Sequence, residues 1–207
     1  MLSLAFGVND IYEYEGKEYK LDLAFDNVLR VIDLTEDNSL SDVFRANLAI
    51  DVLFADDMPW PRSNEEDEYA NEEDEYANIE EKSLVLIDIF TNYIVKENDN
   101  GLLYDIDGNK MPSATNNEDA EEIASYSLTQ DADYIYASFL QDYNIDLLDS
   151  RGKMHWYKFR ALLESLRDDT TIKTIIGIRQ AELPSGKGTE KERNELIKLK
   201  NRYKLKD

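Results

Sequence analysis

Proton chemistry near neutral pH most often centres on histidine, and this chain has one, His155, inside MHWYKF. A histidine acting as a base needs a nucleophile to activate and a third group to orient it. Asp149 and Ser150 precede it, but their spacing fits no triad arrangement. Packing beside Trp156, or a surface position, is the reading that His155 supports. Cysteine is absent, which removes disulfides, thiolate nucleophiles and cysteine zinc sites, and fits a reducing compartment. Asp105, Asp107 and Asn109 invite comparison with a calcium loop. With Asp105 at the first position, Gly108 falls fourth instead of sixth, and the twelfth position is Asn116 where a bidentate glutamate belongs. GKGT at Gly186 to Thr189 lacks the upstream glycine and preceding strand of a phosphate loop. With 45 Asp and Glu, paired-acid patterns arise by chance and single out no acid–base couple. The expectation is a non-enzyme with no cofactor and no metal.

The elements that would position such groups follow from periodicity. IYEYEGKEYKLDL alternates aromatic and charged residues and predicts a small hairpin, with Tyr12, Tyr14, Tyr19 and Leu21 on its strands and Glu15-Gly16-Lys17 at its turn. Phe25, Val28, Leu29 and Ile32 predict a first helix. Ser39 or Ser41 caps a second, carrying Val43, Ala46, Ile50, Leu53 and Phe54. Pro59 and Pro61 break the chain, and Leu84, Ile87, Phe90 and Ile94 then share a helical face. Residues 96–120 read as a loop rich in Asn, Asp and Gly. Further on, Ile135, Phe139 and Tyr143 form one stripe, and Trp156, Phe159, Leu163 and Leu166 another, read as core. Asp168 to Thr171 offers caps for a helix with Ile172, Ile175 and Ile176. Thr189 and Glu192 have capping-box spacing for a basic last helix over 189–205, with Leu196, Leu199 and Tyr203. The fold class is α+β: a mostly α-helical single domain over 1–207 with a small N-terminal β-hairpin.

Composition sets the outer limits. A chain of 207 residues with 42% apolar content can bury a core. Its net charge of −22 opposes phosphate backbones and anionic bilayers alike, so neither nucleic acid nor membrane is an expected partner. No apolar run approaches the roughly 20 residues that cross a bilayer, and MLSLAFGVND lacks the basic leader of a signal peptide. The densest charge lies in NEEDEYANEEDEYAN, a seven-residue unit written twice from Asn64 to Asn78. Its apolar residues are adjacent in each unit, which cannot make a coiled-coil seam. As a helix it would set Glu68 against Glu72. It reads as an acidic loop insert over 62–79, with an anionic strip that docks a basic partner as the sharper alternative.

The C-terminal half carries a resemblance. His155-Trp156, the run Lys158-Phe159-Arg160-Ala161-Leu162-Leu163, Asp169-Thr170 and Ile178-Arg179 occur in an order similar to the phage gp-fifteen-type family of long-tailed phages and prophages of Gram-positive bacteria. Tyr203-Lys204-Leu205 is also similar, whereas the acidic duplicate and the loop near Asp105 depart from the pattern. The resemblance implies a tail assembly chaperone in the host bacterial cytoplasm. Such a protein binds the tape measure protein and helps tail tube subunits polymerise around it, with the tail tube protein as a further partner. The amphipathic helices beside the charge-dense insert add the expectation that the chain self-associates, with a second copy of itself as partner, or coats its client through helical faces. No catalytic residue comes with the resemblance. Candidate core or interface residues are Tyr134, Tyr136, Phe139, His155, Trp156, Phe159, Arg160 and Arg179. Competing classes are an acidic interaction protein, such as a nucleic-acid mimic acting against host defence, and a structural tail component.

Overall fold

The computed structural model describes Ala5 and residues 7–55, 57–60, 78–95 and 125–206. Pro61, the acidic duplicate up to Ala77 and the loop around Asp105 lie outside the described residues. The chain divides into two compact units, Met1–Asn116 with Arg151–Phe159, and Asn117–Ser150 with Arg160–Asp207. Seven α-helices and one two-stranded antiparallel sheet occur among the described residues. The class is α+β and mostly helical, as the spacings predict.

In the first unit, β1 (Ile11–Tyr14) pairs with β2 (Lys17–Lys20), Tyr12 opposite Tyr19 and Tyr14 opposite Lys17. That register leaves only Glu15-Gly16 as the loop, with φ of +51° and +76°. Two positive φ values are the signature of a type I′ turn, whose twist matches the strands. Gly16 adopts this freely, whereas Glu15 does so against its own Cβ. Alternation turns Tyr12 and Tyr19 inward, where both meet the Phe54 ring edge-on at 6.2 and 6.1 Å. Leu21 bridges to Phe54, and the N–H groups of Asp22 and Ala55 donate to Leu53 O and Lys20 O. The chain leaving the second helix is thereby tied along the hairpin.

Helices α1 (Phe25–Glu36), α2 (Asp42–Leu53) and α3 (Ile79–Ile89) pack in sequence, α1 on α2 and α2 on α3. α1 buries Phe25, Val28 and Val31, while Leu29 and Ile32 of the predicted stripe are half-buried. Of the two predicted caps Ser41 is the one used, accepting Phe44 N–H at 3.2 Å, while Ser39 bonds Asp37. α2 buries Ala46, Ile50 and Leu53 as expected. α3 departs from its predicted face. Leu84 is 66% and Ile87 43% exposed, and the buried residues are Lys82, Val85, Leu86 and Ile89. The expectation assumed uniform α-helix to Ile94, but Phe90–Ile94 is a π-helical turn closed by Val95 N–H on Phe90 O at 2.8 Å. The i→i+5 bond turns the chain fewer degrees per residue. Ile94, 2% exposed, therefore falls on the side of Ile89 and not of Ile87.

The segment Arg151–Phe159 is stitched into this unit through its backbone. Phe25 N–H donates to Met154 O, Trp156 N–H to Leu23 O, and Gly152 N–H to Asp26 Oδ1. Ala24 and His155 form an isolated β-bridge.

The second unit holds α4 (Ala132–Tyr143), the part of α5 (Trp156–Glu164) beyond Phe159, α6 (Thr171–Gln180) and α7 (Glu190–Arg202). α4 buries Ile135 and Phe139 and stops at Asn144, whose φ of +53° ends the helix in the left-handed region. α4 packs on α6, and α6 on α7. The start of α6 is capped from another helix. Thr170 turns its hydroxyl to Arg167 O at 2.7 Å, and Ser138 of α4 accepts Ile172 N–H at 3.0 Å while donating to Tyr134 O. The capping box expected from Thr189 and Glu192 does not form. Thr189 has ψ near 2°, not the extended backbone of a cap, and its hydroxyl donates to Gly186 O at 3.0 Å. No residue of α7 is buried.

Candidate functional site

The sequence-derived candidates divide between the two units. His155, Trp156 and Phe159 belong to the first, and Tyr134, Tyr136, Phe139, Arg160 and Arg179 to the second. Trp156 is 4% exposed and donates its indole N–H to Ile94 O at 2.8 Å. Its ring stacks on Phe159 at 5.6 Å, and Phe159 stacks on Phe25 at 5.0 Å. His155 is half-buried at the mouth of α5. Its Nδ1 accepts Tyr157 N–H and its Nε2 lies 3.0 Å from Asp10 Oδ1. A nitrogen that accepts carries no proton, so Nε2 holds it and donates to Asp10. With both ring nitrogens engaged, His155 works as a helix cap and a strap to the residues before β1.

In the second unit Arg179 is the hub. Its Nη1 and Nη2 meet Asp131 Oδ2 and Oδ1 at 2.6 and 2.7 Å, a bidentate pair with 6% and 2% side-chain exposure. Nε donates to Tyr203 O at 2.6 Å and Nη1 also to Ser125 O at 3.1 Å. Lys200 Nζ reaches Arg179 O at 2.7 Å, so the otherwise unburied α7 is held by hydrogen bonds to one residue of α6. Gln130 reinforces this, its amide exchanging two bonds with the backbone of Lys206. Tyr134 meets the Tyr203 ring edge-on, and Phe139 is fully buried. Tyr136 O–H donates to Asp146, a bond that, with some burial, raises the phenol above its usual range. Arg160 is 8% exposed and lies 3.7 Å from Glu164. Phe139, Arg160 and Arg179 are thus buried, and Tyr134 and Tyr136 half-buried.

The outward face of α3 is different. Ile79, Glu80, Ser83, Leu84 and Ile87 line an open groove of about 410 Å³. A drug-sized ligand loses most of its surface to its pocket, which an open trough on one helix cannot provide. Side chains of another helix suit it better. The charges of α3 are sorted by side. Lys82, its single cation, turns inward, is 7% exposed, and donates to Asn47 Oδ1 at 2.6 Å beneath the Trp60 ring. Burial pushes its ammonium pKa down, against the pull of the Asp51 carboxylate. Glu80, Glu81 and Asp88 face water. Sequence spacing picked out Leu84 and Ile87 as an apolar face but not the side that is buried, because α3 is apolar on two sides and Val85, Leu86 and Ile89 make an equally good stripe. The inward lysine was the one signal that no periodicity carries.

Among the described residues no group of His, Cys, Asp and Glu is placed to hold a metal ion, and no helix is long and apolar enough to cross a membrane. No curated protein and no solved structure matches the chain. A family model does match, over residues 8–205. That span runs from just before the hairpin to Leu205, beyond the end of α7, and includes both Trp156 and the Arg179 hub. By that match the chain belongs to the family described as Bacteriophage Gp15 protein.

Proposed function

We propose that this phage protein is a non-enzymatic tail assembly chaperone. It binds the tape measure protein in the host cytoplasm, keeps that long client in solution, and assists tail tube subunits to polymerise around it. The observation that carries this reading is the exposed apolar face of α3, with Leu84 and Ile87 in water on a chain of net charge −22. A client-binding surface must stay open until its client arrives, and strong net charge keeps such a patch from driving aggregation. Membership of a phage family and the resemblance to tail assembly chaperones support the same role. Co-expression with the tape measure protein of the same phage tests it. The expected result is a soluble complex on size exclusion and lower light scattering than the client gives alone. A client that precipitates equally with and without the protein refutes the proposal.

The repeat NEEDEYANEEDEYAN favours a second reading, an acidic interaction protein that mimics nucleic acid. Deleting residues 64–78 separates the two. A mimic loses partner binding that was steeply salt-dependent, whereas a chaperone goes on assembling tails. A structural tail component would instead be found by mass spectrometry in purified virions.

A further inference from the structure

We propose that the outer face of α3 docks a basic amphipathic α-helix of another protein. The partner's apolar stripe lies on Leu84 and Ile87, and its lysines or arginines face Glu80, Glu81 and Asp88. This deepens the chaperone reading and rests on it for the identity of the client, though not for the chemistry of the surface.

Geometry argues for a helix. Glu80, Ser83, Leu84 and Ile87 stand at i, i+3, i+4 and i+7, the four positions that form a hole for a knob from a facing helix. Ser83 is the small residue at the centre, so the floor dips between larger neighbours. From Ile79 to Ile87 the groove runs about 12 Å along the axis, room for the i, i+3, i+4, i+7 anchors of a helix laid in a groove.

Charge argues for a basic one. Lys82 is inside, on Asn47, so every charge that α3 shows to water is negative. Glu81 accepts the Tyr14 hydroxyl at 3.1 Å and Asp88 the Asn92 amide at 2.7 Å, both from uncharged donors. Two copies of this face meeting about a twofold axis would set Glu80 and Asp88 against their equals, a like-charge contact that disfavours self-pairing through α3.

The test uses the full chain and a fluorescent helical peptide of about 15 residues, leucines at i, i+3, i+4 and i+7 and lysines elsewhere, read by anisotropy. Leu84→Gln with Ile87→Gln removes the apolar floor at constant charge, and is expected to weaken binding about tenfold or more. Glu80→Gln with Asp88→Asn keeps the floor, and is expected to flatten the salt dependence. Leu148→Gln, at an exposed leucine of the second unit, is expected to leave affinity within about twofold. Equal binding of a peptide with scrambled leucines, or of one with glutamates for lysines, overturns the proposal. So does a dimer in sedimentation velocity that the Leu84→Gln, Ile87→Gln pair dissolves, because the face would then belong to a second copy. Peptide affinity that ignores this pair, in a protein that still co-purifies with the tape measure protein, sinks the surface and leaves the chaperone reading. Peptide binding lost in the pair, with no tape measure complex for the unaltered chain, sinks the chaperone reading and leaves the surface.

Discussion

Replacing Arg179 by methionine is expected to destabilise the second unit by about 3–5 kcal/mol. Methionine keeps most of the stem volume and removes the guanidinium. What stays behind is the Asp131 carboxylate, 2% exposed, still accepting Ser127 N–H at 3.0 Å but stripped of the two charge-assisted bonds at 2.6 and 2.7 Å. The carbonyls of Ser125 and Tyr203 lose the same donor. Most of the penalty therefore comes from an orphaned buried charge, with a smaller part, roughly 1 kcal/mol for each carbonyl, from lost hydrogen bonds. A buried pair replaced as a whole by apolar groups is often nearly neutral. Arg179→Met combined with Asp131→Leu should thus be more stable than Arg179→Met alone, with a residual cost of about 1–3 kcal/mol from the carbonyls. Urea unfolding followed by far-UV circular dichroism measures both. The two tryptophans, Trp60 and Trp156, lie in the first unit, so fluorescence recorded in parallel reads that unit separately. A loss below about 1 kcal/mol for the single variant, or a double variant as unstable as the sum of its singles, would refute the reasoning.

Two further outcomes rest on local chemistry. Glu15→Asn should raise stability by about 0.5–1 kcal/mol, because asparagine tolerates the φ of +51° that glutamate is forced to adopt. A thermal midpoint unchanged or lowered would show that the turn carries no such strain. The Asp142 carboxyl is held below its usual range, first by the Arg167 backbone N–H at 2.9 Å and then by its guanidinium at 2.5 Å. A carboxylate whose pKa falls on folding stabilises above its unfolded value, about 3.9, and that contribution fades as pH drops through the folded one. Wild type should therefore exceed Asp142→Asn in stability near neutrality and converge with it in acid, and a gap constant with pH would refute the assignment.

The sequence was most legible where one interaction dominates a short stretch. Alternation placed Tyr12, Tyr14 and Tyr19 on the strands of the hairpin that forms, and the Trp156, Phe159, Leu163, Leu166 stripe, read as core, is buried throughout. Three things escaped it, each because distant residues decide. The cap of α6 is Ser138, over thirty residues upstream, while the local Thr170 is spent on Arg167 O. The partner of Arg179 is Asp131, one of many carboxylates and distinguished only by burial. The roll of α3 is set by a π-helical turn beyond its end, which a fixed period of 3.6 cannot represent.

That roll joins the residues that carried the family resemblance to the surface proposed for docking. With two equally apolar sides to choose from, the cost of a buried ammonium alone would turn Lys82 outward and Leu84 inward. The observed arrangement is the reverse, and its anchor is at the C-terminal end. Ile94 is buried, and the carbonyl it presents where the π-helical turn ends is taken by the Trp156 indole N–H at 2.8 Å. Trp156 is itself fixed through its own N–H on Leu23 O and its stack on Phe159. His155, one residue earlier, holds the start of α5 and the residues before β1 in place. With Ile94 and Ile89 pinned to the core, Val85 and Lys82 follow them inward, and Leu84 and Ile87 are left in water. The histidine that invited a search for chemistry, and the tryptophan beside it, act by position. They fix the roll of a helix whose outer side is then apolar at its floor and acidic at its rim.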